Sequence, residues 1–141
     1  MKMYIFFYKT DNCRWYHKFI DEQYGHCCAS KAMCLPNGTE YLLTFDNLYN
    51  YISIDIVFMD LKELIELFPG LTCVIEYNQI VDPMKTGIPC EILTCVTTLK
   101  KLLNIANIFI QTPKQLCNYL LQNGGKKIWD HSLGQNRIRQ H

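Results

Sequence analysis

The sequence predicts an α+β domain: a mainly antiparallel sheet of about five strands, with one cysteine-bearing helix and a C-terminal helix packed on it. Three observations predict it. Short apolar runs of strand length recur through the first half of the chain, separated by turn residues close enough together for antiparallel neighbours. Helical spacing of apolar residues dominates the second half. The composition, 49% hydrophobic and 19% charged over 141 residues, suits one globular domain with a real core.

Taken in order, residues 3 to 8 read as a buried first strand, because Lys9 and Asp11 cut the apolar run too short for a signal-peptide core. Residues 11 to 20 space Trp15, Tyr16, Phe19 and Ile20 as a helix would, and Gly25 breaks the pattern. Residues 26 to 34 and 40 to 46 form a hairpin around Pro36-Asn37-Gly38-Thr39, where Pro sets one φ and Asn-Gly tolerates positive φ. A third alternating run covers 52 to 59. Asp60, with Glu63 three residues on, has the form of a capping box, and Leu61, Leu64, Ile65 and Phe68 make one apolar face before Pro69-Gly70. Residues 71 to 77 are a further strand, and 78 to 90, with Pro83, Gly87 and Pro89, read as a loop. A helix is expected over about 91 to 104, its start near Thr94 being the alternative. Thr112, Pro113, Gln115 and Gly124 signal the last helix from cap to stop. The domain is expected to span 1–125. Residues 126–141 read as a basic, partly flexible tail whose Trp129 packs back on the domain.

A net charge of +1 excludes a strongly charged chain committed by its global field to nucleic acid or an anionic membrane, and no run has the length of a membrane span. The four bases Lys126, Lys127, Arg137 and Arg139 read as a solvated tail rather than a phosphate-binding surface. The eight cysteines fit reduced thiols in a cytoplasmic setting better than a disulfide framework. No Cys-x-x-Cys pair and no glycine-rich phosphate loop occurs, so neither metal nor cofactor is expected.

Chemistry is best sought at three residues. His26 opens a strand directly after Gly25, where its ring can reach a neighbouring element; the plainer reading is an edge histidine. Cys95 stands near a helix start, where partial positive charge and free N–H groups favour a thiolate; the plainer reading is a core residue beside Leu99. Asp46 ends the second hairpin strand and could hold His26 in one tautomer, a job open also to Asn47 or Thr44. Cys90 is a rival nucleophile. Cys27 and Cys28 are poor rivals because they share the histidine strand.

This order of a His strand, a polar residue on the next strand and a Cys helix late in the chain resembles the circularly permuted NlpC/P60-like branch of the papain-like thiol hydrolases. Tyr24-Gly25-His26-Cys27-Cys28-Ala29, Tyr41 to Asp46, and Cys95 to Leu103 carry the resemblance. Thr112-Pro113-Lys114-Gln115-Leu116 is similar to the end of small bacteriophage proteins of this kind. The resemblance implies Cys95 as nucleophile, His26 as general base and Asp46 as orienter, acting on an amide, isopeptide or ester bond of a peptide- or acyl-type substrate, in a host cytoplasm or a virion. The alternative is a viral structural or interaction protein that keeps the fold without the chemistry and binds a protein partner.

Overall fold

The computed structural model describes residues 2–9, 21–48, 51–78 and 94–133. The strands are β1 (Lys2–Tyr8), β2 (His26–Cys34), β3 (Glu40–Leu48), β4 (Tyr51–Val57), β5 (Leu71–Asn78) and β6 (Lys126–Asp130). The helices are α1 (Leu61–Leu67), α2 (Cys95–Leu102) and α3 (Pro113–Gln122), with short 3-10 turns at Glu22–Tyr24 and His131–Leu133. The six strands make one sheet in the order β4-β3-β2-β1-β5-β6, and every neighbouring pair is antiparallel. The expected α+β class and antiparallel sheet are therefore present, with one strand more than expected.

β1 lies between β2 and β5, and helices cover both of its faces, α2 and α3 on one side and α1 on the other, which is why its sequence is a nearly continuous apolar run rather than an alternating one. Met3, Ile5 and Phe7 point to one side, into a cluster with Cys27, Ala29, Cys73 and Ile75 that is closed by Val96 and Leu99 of α2 and by Leu116, Cys117 and Leu120 of α3. Phe6 points to the other, with Cys28, Leu42 and Val74 under Leu64 and Ile65 of α1. Truncating Phe6 or Phe7, both fully buried, would cost about 3–5 kcal/mol.

The local signals hold where they fall on described residues. Asp60 Oδ1 accepts from the Glu63 N–H at 2.8 Å and Glu63 Oε2 accepts from the Asp60 N–H at 2.9 Å. Thr112 and Gln115 close the same reciprocal box at the start of α3. Gly38 takes a φ of 85° in the hairpin turn. The helix expected over 11 to 20, nearly all of the 78 to 90 loop, and residues 91 to 93 lie outside the described residues.

The chain does not leave the sheet at Gly125, and the tail boundary is corrected there. Gly124 adopts a φ of 89°, and a Cβ on Gly125 would lie 2.7 Å from the Leu120 carbonyl oxygen. The two glycines fold the chain back against the end of α3, so that Lys126–Asp130 pairs with β5. Two lysines suggested solvent, but Lys127 Nζ bonds Asp130 Oδ2 at 2.8 Å, while Ile128 and Trp129 pack on the α1-side cluster. Charged side chains on a short outer strand also guard the sheet edge against unwanted pairing. Residues 134–141 lie outside the described residues.

Candidate functional site: a histidine between an aspartate and a helix-start cysteine

The site forms where the first residue of β2 meets the first residue of α2. His26 stands opposite Tyr8 at the end of the β1–β2 ladder, and the two rings stack with centroids 6.1 Å apart. β3 runs antiparallel beside β2, so Asp46 near its far end comes level with the start of β2. Its Oδ1 lies 2.7 Å from His26 Nε2.

Helix α2 begins at Cys95, not near 91. Thr94 is the N-cap: its Oγ1 accepts from the Thr97 N–H at 3.2 Å, and Thr97 Oγ1 accepts from the Thr94 N–H at 2.7 Å. A threonine fills the position usually held by Glu or Gln in such a box. Cys95 is thus the opening residue of the helix, among its unsatisfied N–H groups. Asn47 of β3 fixes the helix from the side, its Nδ2 donating to Thr98 Oγ1 at 3.0 Å.

Cys95 packs on the cluster that contains Cys27, and α2 lies against β2 and β3. With Nε2 engaged by Asp46, Nδ1 is the ring nitrogen that this hydrogen bond leaves over. The hydrogen bond from Cys27 draws the Cys95 thiol well below its usual range; burial opposes this, and the hydrogen bond and charge of His26 add to it. For His26, burial alone would favour the neutral ring, but the hydrogen bonds and charges of Asp46 and Cys95 together push it up to about 10. Cys27 is 1% exposed, and burial holds its thiol protonated. The two shifts favour the charged forms of the Cys95 thiol and the His26 ring, and the Asp46 carboxylate holds the ring at Nε2. Cys95 itself is only half-buried.

Of the three expected site residues, His26 and Asp46 are hydrogen-bonded to each other, and Cys95 opens α2, which lies against β2 and β3. The two other candidates for the Asp46 position are engaged elsewhere: Asn47 holds α2, and Thr44 bonds Ser30 with their hydroxyl oxygens 2.9 Å apart. Cys90 lies outside the described residues. Two members were missed by sequence reasoning. Tyr8 forms one wall and its hydroxyl lies 3.3 Å from the Cys28 sulfur. Cys27 was set aside for sharing the histidine strand, yet strand alternation sends it toward α2, where Cys95 begins. The 52–59 alternation could not reveal such a contact, but the apolar row Cys27-Ala29 facing a helix could have.

Among the described residues no group of three or more His, Cys, Asp or Glu side chains is placed to hold a metal ion, and no helix is long and apolar enough to cross a membrane. No protein family, curated protein or solved structure matches the chain.

Proposed function

We propose that the protein is a thiol hydrolase of the permuted papain-like kind, acting on an amide, isopeptide or ester bond. The single observation that carries this reading is the Asp46–His26 hydrogen bond; the half-buried Cys95 at the start of α2, its thiol drawn down in part by His26, supports it. The Cys95 thiolate attacks the substrate carbonyl carbon, and the opening N–H groups of α2 face the developing oxyanion. His26 gives its proton to the leaving group as the tetrahedral intermediate collapses to a thioester. It then takes a proton from the water that releases the acid. Asp46 keeps the ring oriented and stabilises its charged form.

The test is trapping. Incubation with an activated aryl ester should leave an acyl group on Cys95 that mass spectrometry detects, and His26→Ala should suppress it. An acyl group found on Cys34 as readily as on Cys95 would refute the reading.

One feature favours a second reading, an interaction protein that keeps the fold. The outer strand β4 carries Ile54 at 60% and Ile56 at 59% exposure, followed by Phe58 at 67%. An apolar row on a sheet edge suits a protein partner. If Cys95 proves inert while substitutions along β4 abolish a binding activity, this second reading replaces the first.

A further inference from the structure

We propose that β4 is the interface of a homodimer, its outer edge pairing antiparallel with β4 of a second copy about a two-fold axis at Ile54. The inference shares with the second reading above only the use of β4 as a contact surface. It holds whether or not Cys95 is a nucleophile.

Two strands end the sheet, and they are built differently. β6 has five residues, of which Lys126, Lys127 and Asp130 are charged, a composition that discourages an edge from pairing. β4 has seven residues, Tyr51-Ile52-Ser53-Ile54-Asp55-Ile56-Val57, with one charge and neither proline nor glycine. Its inner edge pairs with β3 along its whole length. Among the described residues no strand pairs with its outer edge, which leaves a row of backbone N–H and C=O groups to bond there.

The occupant follows from the symmetry of the strand about its middle residue. An antiparallel copy centred at Ile54 sets Ile54 against itself, Ile52 against Ile56, Ser53 against Asp55 and Tyr51 against Val57, so every residue of β4 is paired. Opposed residues share a sheet face. The exposed Ile52, Ile54 and Ile56 therefore join those of the copy in one stripe, which Leu43 and Phe45 of β3 continue beside Ile56 and Ile54. The single charge is also met. Asp55 faces the hydroxyl of the partner's Ser53, the same kind of donor that it holds within its own chain, where Ser53 Oγ donates to Asp55 Oδ2 at 2.5 Å. Other registers lose these matches. Centring on Asp55 sets two carboxylates face to face, and centring between Ile54 and Asp55 turns the partner's isoleucines to the opposite face.

The experiment is sedimentation equilibrium of the full chain in reductant over a range of concentrations. The expected result is a monomer–dimer equilibrium. Ile54→Lys, which sets two ammonium groups against each other across the axis, should weaken dimerisation by about 10²-fold or more. Register is read from Ile54→Cys in a Cys34→Ser background, under mild oxidation and non-reducing peptide mapping. A disulfide should join the two copies at position 54. Ile52→Cys in the same background should give none, because its counterpart lies four residues, about 14 Å, along the strand, beyond the reach of a disulfide. A wild-type chain that stays monomeric at every concentration would overturn the inference, and it would leave the acyl trapping of Cys95 to decide the hydrolase reading. A dimer that Ile54→Lys leaves intact, or one that bridges through Ile52→Cys and not Ile54→Cys, would overturn it as well. Should Ile54→Lys fail to fold, the wild-type mass and the position of the bridge still decide.

Discussion

Two pairs of cysteines belong to the same buried cluster, Cys27 of β2 with Cys95 of α2 and Cys73 of β5 with Cys117 of α3. Cys73 and Cys117 have their sulfurs 4.0 Å apart, and each is 1% exposed. The hydrogen bond with Cys117 and burial hold the Cys73 thiol high, while Cys117, which meets Cys73 and Tyr24, is the member drawn down. In the other pair, Cys27 likewise helps to draw the Cys95 thiol down. What separates the pairs is everything around them. Cys95 begins a helix, has its thiol drawn down in part by His26, and is half-buried; Cys117 sits in the middle of α3 with no imidazole beside it among the described residues. A depressed thiol is therefore a necessary feature of a nucleophile but not a sufficient one. Access and a proton carrier distinguish the two sites.

The comparison breaks most sharply at Cys95 itself. Cys95→Ala should lower turnover of any hydrolysed substrate by at least ~10³-fold, whereas Cys117→Ala should leave it unchanged. Initial-rate assays on both variants decide this. Equal losses would show that the second pair, not the first, governs activity.

Removing the imidazole comes next. At neutral pH, alkylation of Cys95 in the wild type should be nearly independent of pH and fall only on acidification, since its thiol is depressed. In His26→Ala, most of the thiolate is lost at pH 7, the rate drops roughly tenfold or more, and it climbs again toward alkaline pH. A pH profile of iodoacetamide modification with peptide-level readout checks both limbs.

Asp46→Asn should cost on the order of 10²-fold in turnover, because the ring loses its orienting partner. It should also change stability with a definite pH dependence. His26 is raised from 6.5 to about 10 in the folded protein, so the stabilisation from its charged form is fully present below pH 6.5 and is lost as pH rises through about 10. The wild type should therefore exceed Asp46→Asn in denaturant midpoint most at pH 6 and converge with it at alkaline pH. A difference that grows with pH would contradict the raised histidine.

The smallest expected effect lies far from either pair. Gly125→Ala places a methyl group 2.7 Å from the Leu120 carbonyl oxygen, and the backbone must shift at a cost of about 1–3 kcal/mol. Chemical denaturation should show that loss, while Cys95 alkylation in the folded protein stays as it was. Slower alkylation would mean that the β6 edge is coupled to the site.

Much of the fold was legible because its causes are local. The Asp60–Glu63 and Thr112–Gln115 boxes, the Pro36 to Thr39 turn and the apolar runs of β1 and β5 each act within a few residues of chain. The start of α2 was less so, because the Thr94–Thr97 box uses a hydroxyl where an acid or amide was expected. β6 was missed because Lys126-Lys127 carries no period-2 apolar signal of its own. Its strand character comes from the open edge of β5 and from the Lys127–Asp130 pair.

The sequence by itself determined most of the elements, β6 excepted, and it singled out Cys95, His26 and Asp46 as residues able to carry chemistry. Only the tertiary structure decided that Asp46 rather than Asn47 or Thr44 reaches the histidine, and that Asn47 instead clamps α2. The physical reason is register. Antiparallel pairing sets which residues of β2 and β3 stand level and which face each side chain takes. Those are contacts between residues 20 and 51 positions apart, and no local propensity encodes them.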